Sequence, residues 1–455
     1  MQLAILAAVL AALAAAESGG GPVEGLGWRL LAIAAVTLVA PLAAFLGGQR
    51  LALDVAALDR SERSIARLQS IVVGLWMSAV LIVLFIAQWP RIVRGNWQLA
   101  GWPLLDELAI LTPVIAPLLL VWAGLYRLDR AAQVAAFRAR ELEPPPAQLG
   151  RYLWLHVRHH LGLVLLPALA VVGAFELLGM FNLTRARPDA AWWFALPLLA
   201  TMLLLMPLAV RRVWRTTPLP VGPLRDELEA ICRRERCLVR EILVWHTDGY
   251  MANAAVVGLS RWLRYVLLTD ALLARLKTAE IVAVLRHELA HLQRWHLPLR
   301  LALLALPLAW WLAINQVWPH LDAALHYAMV AAGWPAPLVT AVMLPVCMLA
   351  YAVIVVGWYS RLLEHEADLA ACLADDGQFD SLRAADFGRA LVLLIGRSRE
   401  SRLGQWLHPS LPDRLRFLRG AMERASRCAF ERRLVWIKLS IAAGYLAALA
   451  VALLG

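Results

Sequence analysis

Residues 285–296 read LRHELAHLQRWH, a run in which two histidines stand four apart and a glutamate directly follows the first. On a helix His287 and His291 lie on one face, one turn apart and about 6 Å along the axis. Two imidazoles so placed can reach a single Zn2+ at roughly 2.0–2.1 Å each. Glu288 is rotated about 100° from His287, which keeps it out of the ligand position but close enough to take a proton from a water that the metal activates. Two surface histidines on the polar end of a helix would give the same letters, so the motif needs a partner. A catalytic zinc of this type takes a third protein ligand and keeps a fourth position open. The run YSRLLEHEADLAACLA supplies a candidate, because Glu364 and Asp368 are again one helical turn apart. One carboxylate can ligate while the second holds a ligand imidazole through its other nitrogen. Alone, this acidic run would read as a solvated helix face.

The elements that must carry these residues can be read from local pattern. Thr278 is a plausible N-cap with Glu280 in the first turn, and Ile281, Val284, Leu285, Leu289 and Leu292 recur at helical spacing. Pro298 disfavours helical geometry in the residue before it, so this helix is expected to end near His296. Upstream, PLRDELEAICRRER has the pattern of an amphipathic helix, while LVREILVWH, MANAAVVGL and YVLLT read as strands of a small sheet.

The setting is a membrane. Of the 455 residues 61% are hydrophobic and 17% charged, with a mean hydropathy of +0.64, too apolar for a soluble domain. Stretches near the roughly 20 residues that span a bilayer core occur at about 28–47, 70–90, 105–126, 161–181, 191–210, 299–317, 338–358 and 434–455, which predicts eight spans. The net charge of +11 follows the positive-inside rule and calls for no nucleic acid. Segments 48–69, 127–160, 211–298 and 359–433 are Arg-rich, 91–104 and 182–190 carry two Arg each, and 318–337 carries none. Both large hydrophilic stretches are therefore expected in the cytoplasm and the C-terminus outside.

The expected organisation is a short apolar helix or signal-like segment at 1–16, a five-span membrane domain over 17–210, the first half of a hydrophilic domain with the histidine helix over 211–298, a two-span hairpin over 299–358, the second half over 359–433, and a final span over 434–455. The short hairpin returns the chain to the face it left, so the two hydrophilic halves can pack as one domain. EPPPAQ at 143–148 marks a linker. The five cysteines, Cys232, Cys237, Cys347, Cys372 and Cys428, imply no disulfide framework, and the spacing of Cys232 and Cys237 fits no common zinc knuckle.

HELAH followed by SRLLEHEAD resembles the membrane zinc metallopeptidases that include the CAAX prenyl proteases and the bacterial heat-shock protease HtpX, whose pattern is HExxH and then SRxxExxAD. MANAAVVGL resembles that family's Asn-Ala strand, YVLLTDALL the strand and turn beside it, and HPSLPDRL at 408–415 its late His-Pro…Arg motif. The resemblance covers roughly residues 220–420. It implies a mainly α, polytopic helical membrane protein with a cytoplasmic α+β zinc-peptidase domain. It further implies one Zn2+ per chain on His287, His291 and Glu364, Glu288 as general base, and Asp368 as the carboxylate behind a ligand. It also suggests that Asn253 pairs with substrate backbone on an edge strand and that His408 and Arg414 approach the oxyanion or the substrate. The strand reads NAAVVG where the family commonly has an aromatic after Asn-Ala, which leaves Asn253 open as a turn residue, and His408 as a loop histidine.

The function expected is an integral-membrane zinc metalloendopeptidase acting on membrane-associated or misfolded proteins at the cytoplasmic interface. The partners expected are protein or peptide substrates and the bilayer, with no nucleic acid. A signal-transducing metalloprotease of the β-lactam-sensor type is a second reading, since HELAHLQRWH also resembles that zinc helix, although SRLLEHEAD and the short outside loops argue against it. A transporter or silent scaffold with a structural zinc is a third. His296, His320, His326, His156, His159, His160, His246 and His365 read as structural or solvated. Glu366, the carboxylate that competes with Glu364, falls on the other side of its helix, and the family pattern selects Glu364.

Overall fold

The computed structural model describes residues 2–17, 21–53, 58–102, 104–138, 143–146, 148–180, 190–258, 260–318, 320–333, 344–395 and 407–454. The chain is a polytopic, mainly helical membrane protein with one small sheet. It divides into two compact units. One comprises Met1–Pro220 and Leu238–Arg275; the other comprises Val221–Cys237, Leu276–Gly396 and Arg402–Gly455.

Six helices among the described residues are long and apolar enough to cross a membrane: Leu26–Leu53, Ser64–Ile86, Leu105–Ala135, Leu149–Gly179, His296–Val317 and Arg424–Ala452. The expected span at 191–210 lies on the helix Ala190–Val213, and the one at 338–358 begins outside the described residues.

In the first unit the helices Leu26–Leu53 and Leu105–Arg138 cross where neither carries a side chain. A Cβ on Gly48 would meet Gly124 O at 2.7 Å, and one on Gly124 would meet Phe45 N at 2.7 Å. Lipid-immersed helices associate by this kind of close backbone approach, because apolar burial alone gives them little preference for each other over lipid. The helix Gln2–Glu17 adds Ile5, Ala8, Val9 and Ala12, one stripe at helical spacing, to the same core. The sheet has strands β1 (Thr216–Pro218), β2 (Glu241–Trp245), β3 (Ala254–Val257) and β4 (Tyr265–Thr269) in the order β1-β2-β4-β3. β2 and β4 run parallel with Leu243 opposite Leu267, and the outer pairings are antiparallel. Alternate residues Leu243 and Trp245 of β2 and Tyr265 and Leu267 of β4 pack on one face against Val210 and Trp214, as the two-residue strand period requires. Trp214 stacks on Trp245 with ring centroids 4.0 Å apart.

The second unit is built on the histidine helix, Thr278–Gln293, whose N-cap is Lys277, one residue before the Thr278 expected; the Lys277 N–H donates to Glu280 Oε2 at 2.9 Å. Its end differs from the sequence expectation. The helix stops at Gln293, Trp295 adopts a left-handed conformation with φ 58°, and His296 begins the next helix, His296–Val317. Pro298 therefore sits in the first turn of a new helix, where its missing N–H costs nothing, instead of terminating the old one. The carboxylate helix, Gly357–Ala371, continues from Leu344–Tyr351 through one wide turn at Ala352–Val356. Ala283 of the histidine helix, Ala371 and Cys372 at the end of the carboxylate helix, Phe387 and Leu391 of Ser381–Ile395, and Leu418 form a shared core. Leu303, Val356, Tyr359, Leu363 and Ile441 form a second core that ties the carboxylate helix to the spans His296–Val317 and Arg424–Ala452. Tyr351 and Tyr445 add hydrogen bonds to Leu303 O and Ala302 O.

Candidate active site

Packing of the histidine helix beside the carboxylate helix brings three donors together. His287 Nε2 and His291 Nε2 are 3.2 Å apart, Glu364 Oε2 is 3.7 Å from the first, and Glu364 Oε1 is 3.6 Å from the second. Ligands at about 2.0–2.1 Å in tetrahedral array stand about 3.3–3.4 Å from one another; the two nitrogens meet that spacing, and the carboxylate, one oxygen towards each nitrogen, lies a few tenths of an ångström beyond it. The donor set also suits zinc chemically, with two imidazoles and a carboxylate leaving a fourth position open. Among the described residues one other group of acids lies close together, Asp106, Glu107 and Glu176. It belongs to the first unit, and Arg94 already bridges Asp106 and Glu107 at 2.6 and 2.8 Å.

Each donor is held from behind. Asp368 is wholly buried, its Oδ1 3.1 Å from His287 Nδ1, and it accepts two hydrogen bonds from the buried Arg414 guanidinium, one of them 2.9 Å from Nε. At that distance His287 Nδ1 and Asp368 Oδ1 are in contact, although the geometry does not make a hydrogen bond between them. Phe387 stacks on the other face of His287 at 5.5 Å. Glu364 is 2% exposed; Arg300 Nη2 donates to its Oε1 at 2.8 Å, and His408 Nδ1 lies 3.0 Å from its Oε2. His291 Nδ1 contacts His296, which in turn contacts Glu366.

The electrostatics follow from burial. Burial opposes the charge of Glu364, but the hydrogen bond and charge of His408, with His291 and His287, hold its carboxyl below the ordinary carboxylate range. Burial opposes ionisation of Asp368 as well, and the Arg414 charge overrides it. The His291 imidazole is pushed well below its usual value, first by burial and then by His287; it stays neutral, with a lone pair to give. Glu288, half-buried beside this group, is pushed up to about 7 by burial against the attraction of His287. A carboxylate in that range can both accept and return a proton near neutral pH, and a bound dication would draw it lower.

The site residues read from the sequence divide between the two units. His287, Glu288, His291, Glu364, Asp368, His408 and Arg414 all lie in the second unit and converge. Arg414 reaches Asp368 and not an open cleft. Asn253 belongs to the first unit, directly before the edge strand β3. Its N–H donates to Thr269 Oγ1 at 2.8 Å, and its Oδ1 accepts from Ala254 N at 2.9 Å. His156, His159 and His160 pack their rings among Trp122, Trp214 and Trp245. The contacts of Arg300, His296 and Glu366 were not evident from the sequence. Arg300 falls in the apolar span expected at 299–317, and only the spacing HExxHxxxxH hinted at His296.

Comparison with known proteins points to the same part of the chain. Residues 240–422 match the model of Peptidase family M48, a span that contains every residue of the converging group. No curated protein matches the chain. Among solved structures, the crystal structure of S. mikatae Ste24p is similar with a TM-score of 0.50 and 17% sequence identity, covering 88% of this chain and 100% of that one. At that identity the likeness is one of fold. The resemblance to a membrane metallopeptidase family, first read from two short motifs, is thus found again over residues 240–422.

Proposed function

We propose that this chain, a membrane protein that matches Peptidase family M48 over residues 240–422, is a zinc-dependent metalloendopeptidase holding one Zn2+ on His287, His291 and Glu364. The observation that carries the reading is the cluster of His287 Nε2, His291 Nε2 and the Glu364 carboxylate, whose candidate ligand atoms all lie within 4.8 Å of one another, with Glu288 alongside. When bound, the metal supplies Lewis acidity to the scissile carbonyl and to the attacking water. Glu288 accepts the proton of that water and returns it to the leaving amine, the task for which a carboxyl raised towards neutrality is suited. Asp368 orients His287 and is kept ionised by Arg414. Arg300 and His408 fix the carboxylate plane of Glu364, and His408, half exposed, is also available to offset charge on the developing oxyanion.

Both motif helices adjoin apolar helices: the histidine helix runs into His296–Val317 and the carboxylate helix follows Leu344–Tyr351. Substrates are accordingly membrane-associated or misfolded proteins met at the bilayer surface. The Arg-rich character of 211–298 and 359–433 supports a cytoplasmic location for that surface. The experiment is Glu288→Gln in purified full-length protein. Zinc content should be unchanged while cleavage of an unfolded reporter falls by about 10²–10⁴-fold; undiminished cleavage would rule out the mechanism.

A further inference from the structure

His296 is 1% exposed and opens the span immediately after the histidine helix. Left-handed Trp295 turns the chain there, and the His296 ring contacts His291 of the helix just completed. Its Nδ1 lies 2.7 Å from His291 Nδ1, and its Nε2 lies 3.1 Å from Glu366 Oε2. Glu366 is anchored in turn by Lys438 Nζ at 2.9 Å and Arg294 Nη1 at 3.0 Å.

The protons in this row can be placed in only one way that leaves His291 able to bind a metal. Two ring nitrogens 2.7 Å apart share a single proton, so one donates and the other accepts. Glu366, beside two cations, is an acceptor, so the His296 Nε2 carries a proton and donates to it. In neutral His296 the Nδ1 is then the acceptor, which makes His291 Nδ1 the donor. The His291 Nε2 is left bare, and that is the atom facing His287 and Glu364. A reversed row would put a proton on His291 Nε2 and remove it as a ligand.

We propose that His296 and Glu366, anchored by Lys438 and Arg294, are positioning residues that set the tautomer and ring orientation of His291 for metal binding. The proposal rests on the zinc reading above. It gives His291 a support parallel to the Asp368–Arg414 pair behind His287, with one imidazole interposed because Glu366 projects from the other side of the carboxylate helix. It also gives Glu366 a role distinct from that of Glu364. Through His296 and Lys438 the ligand is tied to the first turn of one span and to the body of another, Arg424–Ala452.

The test is the zinc dissociation constant of the full-length protein in detergent, measured by competition with a chromophoric chelator. His296→Leu removes both hydrogen bonds and should weaken zinc by about 10–100-fold. His296→Asn keeps an acceptor near the Nδ1 position and should recover affinity to within about threefold of wild type, a rescue that a packing role would not produce. Glu366→Gln, which keeps the shape, should lose about tenfold, and it carries the test if His296→Leu does not fold. Wild-type affinity in both His296→Leu and Glu366→Gln would overturn the proposal, as would an Asn variant as weak as the Leu variant. A wild type that takes up no zinc would instead overturn the metal reading on which the proposal stands.

Discussion

Asp368 offers a quantitative check of the account, because its two roles can be separated. The carboxylate is fully buried and carries two hydrogen bonds from a guanidinium that is itself buried. Asp368→Leu leaves the Arg414 charge without a partner in a low-dielectric site, which should cost about 3–5 kcal/mol of folding stability. Substituting Arg414→Met as well removes the stranded charge, and replacement of a buried pair by apolar residues of similar volume is often neutral or stabilising. The double variant should therefore recover most of the loss. Zinc binding should not recover with it: both variants lack the group 3.1 Å from His287 Nδ1, and loss of such a partner typically weakens a metal by about 10–100-fold. The assay is denaturant unfolding of wild type, both single variants and the double variant in chelator, followed by zinc titration of each. The reasoning would be refuted if the single loss were under about 1 kcal/mol, or if the double variant lost as much as the two single variants together. Restoration of zinc affinity alongside stability would equally refute it.

Other expectations follow from the same structure. The Asp368 carboxyl is held below its ordinary range, so its contribution to stability is present above its unfolded-state pKa near about 4 and is lost as pH falls below that; the Asp368→Leu, Arg414→Met double variant should show a flatter acid limb in unfolding. Glu288 must be ionised to accept a proton, so kcat/KM should rise with pH through its pKa. That limb should lie below the value of about 7 to which burial, opposed by the His287 charge, raises it without metal, because a bound dication favours the carboxylate; a limb well above 7 would speak against Glu288 as the base. Gly124→Ala places a Cβ 2.7 Å from Phe45 N and should cost about 1–3 kcal/mol by forcing two spans apart, readable as a lower unfolding temperature in detergent. Removal of metal by a strong chelator should abolish cleavage, and stoichiometric zinc should restore it.

The site was legible in the sequence wherever covalent spacing does the positioning. His287 with His291, and Glu364 with Asp368, each lie one helical turn apart, and a helix delivers such pairs to one face whatever surrounds it. Three strands were legible for a similar reason: EILVW, AAVV and YVLLT are apolar runs, rich in β-branched residues, between turn signals. Strand β1 was not, because Thr216–Pro218 is three residues long, ends in proline and is defined only by pairing with β2. Proline is tolerated there because β1 lies on an edge. The His296–Glu366 row was hidden for a different reason. A single left-handed residue, Trp295, returns His296 to its own helix, and no periodicity encodes that reversal. The partners Arg300 and Lys438 come from apolar spans, where composition gives no reason to single out one cation. Pro298 misled in a simple way, since a proline that ends one helix and a proline that begins the next look alike in sequence.

The most direct test of the central claim is zinc K-edge X-ray absorption on the purified full-length protein, with metal content measured on the same sample. The account predicts one zinc per chain, bound through two imidazoles and oxygen donors at about 2.0–2.1 Å, with the signal lost in Glu364→Ala. Zinc far below one per chain, or a sulfur shell near 2.3 Å that would assign the metal to cysteine, would contradict it.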